Sequence, residues 1–259
     1  MIIDTHCHLG LEDYDDIEKV IKNFEGNIMI ISGVDAKTNR EVVNIVNTHD
    51  NIYGTLGIHP EYAENYSEKD LKYIEDNLKN PKIVGVGEFG LDYHYEGYNK
   101  EKQRDLMIKQ ILLAKKYNMP IVIHTRDAIN DTYNILDETQ AFDYKVTIHC
   151  FSESLEMAKR FTEKGCKLGI GGVVTFKNSR KVKEVIENID LGNIILETDS
   201  PYLAPEPLRG TKNEPKNVFL VARKIAEIKN MTEEEVIKIT TNNSLKQYGI
   251  GDCDATKGN

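Results

Sequence analysis

Ile121-Val122-Ile123-His124 is a run of three β-branched apolar residues ending in an imidazole, and Val146-Thr147-Ile148-His149 repeats the pattern. Short β-rich runs with turn residues at their borders read as strands. Working outward, further runs of this kind fall at about 1–8, 27–34, 52–59, 82–88, 166–171 and 193–199, which with 120–125 and 145–150 makes eight. Helical periodicity fills the gaps. Val182, Val185, Ile186 and Ile189 share one helical face, as do Val218, Val221, Ala222 and Ile225, and Thr232 with Glu235 reads as a capping box. Strands that alternate with helices build a parallel sheet, and eight of them close it into a (β/α)8 TIM-type barrel of ~250 residues.

The chain has 259 residues, and no repeat, low-complexity tract or linker divides it. The expectation is one (β/α)8 domain over 1–250 and a disordered tail over 251–259. The longest irregular stretch, about 200–215, is rich in proline and follows the eighth strand, where it suits a shaped loop over the barrel mouth. No run approaches the ~20 apolar residues needed to cross a bilayer. The first residues show no signal-like pattern, and the four cysteines show no close pairing, so the expected location is cytoplasmic with reduced thiols. Cys7 and Cys150 each neighbour a histidine, and alternation along a strand should turn both thiols away from it. The net charge of −9 argues against a broad basic nucleic-acid surface and against tight nonspecific duplex binding. It leaves a nuclease open, because a dication in a cleft can supply the field that a phosphodiester needs.

The chemistry gathers at the strand ends. His6 and His8 lie two apart on the first strand, so both rings face one side. Glu88 sits among glycines in Val86-Gly87-Glu88-Phe89-Gly90, which admits close approach by a metal or substrate. His124, His149 and Asp199 end the fifth, sixth and eighth strands. Each alone has an ordinary structural explanation: a hydrogen-bonded core histidine, a buried ion pair, an Asp-Ser-Pro turn. Six ligand types at equivalent strand ends favour a metal site, since buried charges need partners. The mixed imidazole and carboxylate set suits Zn, Mn, Fe or Co, and Mg at lower affinity.

Asp-Thr-His-Cys-His-Leu (4–9), Gly-Ile-His-Pro (57–60), Gly-Glu-Phe-Gly-Leu-Asp-Tyr (87–93), Ile-His-Thr-Arg-Asp-Ala (123–128), Ile-His-Cys-Phe-Ser (148–152) and Glu-Thr-Asp-Ser-Pro-Tyr-Leu (197–203) together resemble the TatD-type deoxyribonucleases of the amidohydrolase superfamily. The resemblance runs over roughly 2–245 in family order. It implies two divalent ions per chain (Mg, Mn or Zn): one on His6, His8 and Asp199, one on His124 and His149, with Glu88 bridging. It also implies that His59 contacts the substrate phosphate. Two such ions ~4 Å apart activate water and stabilise the leaving oxygen, with Asp199 accepting the water proton and Glu88 fixing the spacing. Arg126, just past the fifth strand, faces either substrate or a carboxylate such as Asp127. Lys177 and Phe176, after Gly171-Gly172, offer a charge and a stacking surface, or merely an ordinary connection.

The expected activity is hydrolysis of DNA phosphodiesters, 3'-5' from ends or on single strands, with nucleic acid as the partner and neither a membrane nor an obligate protein partner. Because the same activated water attacks a carbonyl, an amidohydrolase or esterase, for example an aminoacyl-tRNA deacylase, is the alternative. A metal-stabilised scaffold without catalysis is the third reading, and it requires a closed coordination sphere.

Overall fold

The structure, a computed structural model, describes residues 1–251. The tail expected over 251–259 lies outside the described residues except for Gly251. The strands are β1 (Ile3–Cys7), β2 (Ile28–Ser32), β3 (Ile52–Leu56), β4 (Ile83–Asp92), β5 (Ile121–Arg126), β6 (Val146–Ile148), β7 (Lys167–Ile170) and β8 (Ile194–Leu196). They pair in parallel in sequence order, so the sheet is an eight-stranded (β/α)8 barrel. Helices lie between successive strands, and two more, Val218–Lys229 and Glu233–Tyr248, follow β8. None of the described helices is long and apolar enough to cross a membrane.

The helical faces fall where periodicity puts them. Val182, Val185 and Ile186 are buried in the helix Arg180–Asn188, and Val218, Val221, Ala222 and Ile225 in Val218–Lys229. The capping box forms: Thr232 accepts from the Glu235 backbone N–H, and the Glu235 carboxylate accepts from that of Thr232.

Alternation along the strands divides the barrel into two apolar regions. Residues such as Met29, Ile31, Ile121, Ile123, Ile194 and Leu196 belong to the large core shared with the helices. Ile3, Ile30, Val84, Val122 and Ile195 form a separate cluster with Tyr248 and Ile250, which plug the barrel floor from the end of the last helix. Two steps above that floor the inward positions turn polar: Val122 gives way to His124 on one strand and Ile195 to Glu197 on another. In β1 the register shifts between Asp4 and Cys7, which lets Ile3 sit at the floor while His6 and His8 still face inward at the rim.

The seam between β1 and β8 closes through side chains as well as backbone. The Asp199 N–H donates to the His6 carbonyl at 2.9 Å and the His8 N–H to the Ser200 carbonyl at 2.7 Å. One step earlier along both segments, Asp4 accepts from the Thr198 N–H at 3.0 Å and from its hydroxyl at 2.6 Å. Burial pushes the Asp4 carboxyl well up from its ordinary value, against those hydrogen bonds.

Candidate metal centre

His6 stands in β1 and His8 just beyond it; Glu88 lies within β4, His124 within β5, His149 one residue past β6, and Asp199 three past β8. All six converge at the C-terminal rim, where five line one cleft and His6 is buried against them. Glu88 sits at their centre. Its Oε2 lies 3.1 Å from His6 Nε2 and 3.7 Å from His8 Nε2. Its Oε1 lies 2.8 Å from His124 Nδ1 and 2.8 Å from His149 Nε2. Asp199 Oδ1 is 3.5 Å from His8 Nε2 and 3.7 Å from His6 Nε2. Candidate ligand atoms of three such trios (His6, His8, Glu88; His6, His149, Asp199; Glu88, His124, His149) lie within 4.8 Å of one another.

Glu88 can occupy the centre because its neighbours are thin. A Cβ on Gly57 would sit 2.8 Å from the Glu88 carbonyl oxygen, and one on Gly90 would run into the His124 backbone. Burial works against the Glu88 carboxylate, but the surrounding imidazoles hold its pKa well below the ordinary value. The converse shift is seen in His8. Burial opposes its charge, yet the hydrogen bond to Asp199 and the fields of Glu88 and Asp199 raise it to about 9. Carboxylates and imidazoles packed this closely demand positive charge between them. A divalent cation supplies it while taking the lone pairs that protons otherwise hold, so this donor set fits metal.

Three of the imidazoles hydrogen-bond through their second nitrogen, and His149 Nδ1 has a carboxylate nearby without a hydrogen bond. His8 Nδ1 donates to the Ser32 carbonyl at 3.0 Å, and His6 Nδ1 meets the Ser32 hydroxyl at 3.1 Å. His124 Nε2 faces Asp92 Oδ2 at 3.2 Å, and His149 Nδ1 faces Glu197 Oε1 at 3.5 Å. Ser32, Asp92 and Glu197 escaped notice in the sequence, although parity carried a signal. Asp92 is four residues from Glu88 and Glu197 two from Asp199, so each belongs to the inward face of its strand.

His59 also reaches the cluster, with its ring centre 4.4 Å from that of His124 and its Nε2 3.9 Å from Glu88 Oε1. Burial and the neighbouring His124 push it down to about 3, so it is neutral. Its Nδ1 accepts from the Glu61 N–H at 3.3 Å, which leaves the proton on Nε2, facing the cleft. Although His59, Asp92 and His124 lie close enough to form a trio, that tautomer makes His59 a donor rather than a ligand.

The remaining candidates divide. Arg126 is exposed, lines the cleft and lies over the Tyr95 ring at 5.5 Å. It does not pair with Asp127, whose carboxylate meets His94 Nδ1 at 2.8 Å. Lys177 is exposed and not among the cleft residues, and the Phe176 ring is covered by the Arg209 guanidinium at 3.8 Å. Of the two glycines before them, Gly172 answers to packing: a Cβ on it would lie 2.3 Å from the Leu203 carbonyl oxygen. The alternation argument fails for Cys150. Its φ of 48° ends the strand geometry and it lines the cleft, whereas Cys7 is buried and its thiol faces the Ile30 carbonyl. No cysteine joins a candidate ligand group among the described residues.

The cleft measures about 720 Å³. Its wall over β1–β3 carries Glu12, Asp13, Asp35, Glu41 and Glu61 against Lys37, while the charged residue over β5–β7 is Arg126.

A parallel barrel with imidazoles and carboxylates converging at its C-terminal rim has the layout of a metal-dependent hydrolase. The chain belongs to the TatD family: the sequence model for TatD related DNases matches residues 3–249. Metal-dependent hydrolase YabD of Bacillus subtilis is 41% identical over 254 residues, covering 96% of this chain and all of that protein. YcfH of Escherichia coli K12, also named a metal-dependent hydrolase, is 31% identical over 96% of each chain. The crystal structure of YJJV, a TatD homologue from Escherichia coli K12, superposes with a TM-score of 0.88 at 27% identity, covering 96% of this chain and 98% of that one.

Proposed function

We propose that this hydrolase cleaves phosphodiester bonds of DNA, working 3'-5' from ends or on single strands, with two divalent ions held by His6, His8 and Asp199 on one side of Glu88 and by His124 and His149 on the other. The observation that carries the reading is the fixed tautomer of His59. Its neutral ring offers an N–H to the cleft beside the carboxylate cluster, which suits a non-bridging phosphoryl oxygen. Bound metal at this centre lowers the pKa of water and neutralises charge building on the phosphoryl group.

The chain's own groups do the rest. Glu88 holds the two halves in register through its two oxygens. Asp199, at the cleft, takes the proton of the attacking water. His59 Nε2–H donates to the phosphoryl oxygen, a contact that accelerates only if it strengthens in the transition state. Arg126 meets a neighbouring phosphate, and the exposed Tyr202 ring beside His8 offers a face to a base.

One observation favours a carbonyl-directed hydrolase instead. The carboxylates over β1–β3 suit a cationic group such as the ammonium of an aminoacyl ester better than a phosphate. Chelator-stripped protein given Mg or Mn, then end-labelled single-stranded DNA or an aminoacyl ester, separates the two. Stepwise shortening from the 3' end supports the nuclease; ester cleavage with intact DNA overturns it.

A further inference from the structure

The two halves of the centre are supplied unequally. In the two-ion reading His6, His8 and Asp199 are the ligands on the Glu88 Oε2 side and His124 and His149 those on the Oε1 side, where His59 stands as a donor. The partners behind the rings differ in the opposite sense. His6 and His8 are backed by neutral oxygens of Ser32, His124 and His149 by the carboxylates of Asp92 and Glu197.

We propose that Asp92 and Glu197 are positioning residues that compensate for the smaller ligand set by fixing and strengthening His124 and His149 as metal donors. The inference rests on the two-ion reading and is independent of which bond is hydrolysed.

A carboxylate can only accept, so Asp92 places the proton of His124 on Nε2 through a hydrogen bond; the Glu197 carboxylate, 3.5 Å from His149 Nδ1 and not hydrogen-bonded to it, favours the proton there by its charge. The lone pairs left over are on His124 Nδ1 and His149 Nε2. Those two atoms converge, each 2.8 Å from Glu88 Oε1 and 3.3 Å from each other. One ring thus works through Nδ1 and the other through Nε2, a difference dictated by where the carboxylates stand.

Both carboxylates are held rigidly. Asp92 accepts from the His94 N–H at 2.9 Å, and its backbone is clamped by the two ends of the buried Gln103 amide at 2.9 Å each. Glu197 is fully buried and accepts from the Cys150 N–H at 2.5 Å. Its other oxygen has no hydrogen-bond partner, and a Cβ on Gly169 would come within 2.1 Å of that atom. Burying a carboxylate with an idle oxygen is costly, and a neutral amide would serve the Cys150 N–H as well. A negative charge there is accounted for by His149. Carboxylates behind ligand histidines raise ring basicity, and losing one typically costs ~10–100-fold in metal affinity.

The test titrates chelator-stripped protein with Mn2+ alone, reading free and bound ion by electron paramagnetic resonance. Wild type should bind two ions. Asp92→Asn and Glu197→Gln should each weaken one of them about 10–100-fold and leave the other as in wild type. Their double variant should weaken that same ion further, and Ser32→Ala should disturb binding less than either. Thermal midpoints of the metal-free variants show whether they fold. Unchanged affinity for both ions, or equal weakening of both in a variant that melts like wild type, overturns the proposal. If Asp92→Asn fails to fold, Glu197→Gln decides by the same criteria. Wild type that takes up fewer than two Mn2+ overturns the two-ion reading and this inference with it, a result distinct from failure of the variants alone.

Discussion

The floor and the rim of this barrel are made by the same strands, yet they have opposite energetics. At the floor, Ile3, Ile30, Val84, Val122 and Ile195 meet Tyr248 and Ile250, and burying each such side chain stabilises by ~1.5–3 kcal/mol. At the rim, four imidazoles and two carboxylates crowd together, where desolvation opposes charge at every one of them. Two residues of strand, about 6–7 Å, separate Val122 from His124. The lesson is a division of labour: the floor carries stability that the rim forgoes to hold reactive groups. Mutations at the two levels should therefore split cleanly between folding and turnover.

The largest effect is expected at the rim. Asp199→Asn should lower kcat by about 10²–10⁴-fold, the usual worth of a general base, without lowering the thermal midpoint of the metal-free protein. Turnover close to wild type would remove Asp199 from the role given to it. At the floor, Ile195→Ala should cost about 2–5 kcal/mol in denaturant unfolding while kcat per folded molecule holds. A large fall in kcat there would show that the two levels are coupled.

His59→Ala comes next, with a loss of about 10²–10³-fold in kcat and little change in Mn2+ affinity, because the ring donates to substrate and not to metal. Loss of an ion in that variant would make His59 a ligand after all. A smaller effect follows from His8. Its raised pKa contributes stability that is fully present below the unfolded value near ~6.5 and is lost as pH rises through about 9. Metal-free protein should melt at a lower temperature at about pH 9 than at about pH 6.5, and saturating Mn2+ should flatten that difference. Melting curves with chelator and with Mn2+ at both values decide it. The smallest effect belongs to Lys177→Ala, expected within about 0.5 kcal/mol in stability because the side chain is exposed. Its kcat/KM on DNA should stay near wild type, since Lys177 does not line the cleft.

How much of this could be read from the sequence depends on whether a residue's role shows locally. The barrel was legible because each strand is a short apolar run with turn residues around it, and the convergence of the candidate ligand side chains was legible because they end such runs. Asp92 was hidden because β4 runs on to it, past the glycines around Glu88, and because its partner His124 is 32 residues away. Glu197 was hidden by the more conspicuous Asp199 beside it. Lys177 and the glycines before it stayed open between two readings for a different reason. A Gly-Gly pair reads equally as a phosphate-binding turn or as a close contact, and only the Leu203 carbonyl reveals which. The tautomer of His59 depends on one backbone N–H, a detail that no spacing encodes.

The seam where β8 meets β1 has a consequence for how the protein comes into being. Thr198 and Asp4 lie 194 residues apart, and His6 and Asp199 belong to the same cluster. A ribosome makes Asp4 and His6 with the first strand, and Thr198 and Asp199 only after all eight strands have been made. A nascent chain, or one cut short by a broken message, holds His6 and His8 but lacks Asp199. The candidate ligand set is therefore completed only once the chain has run through β8, and a copy cut short before that point lacks Asp199.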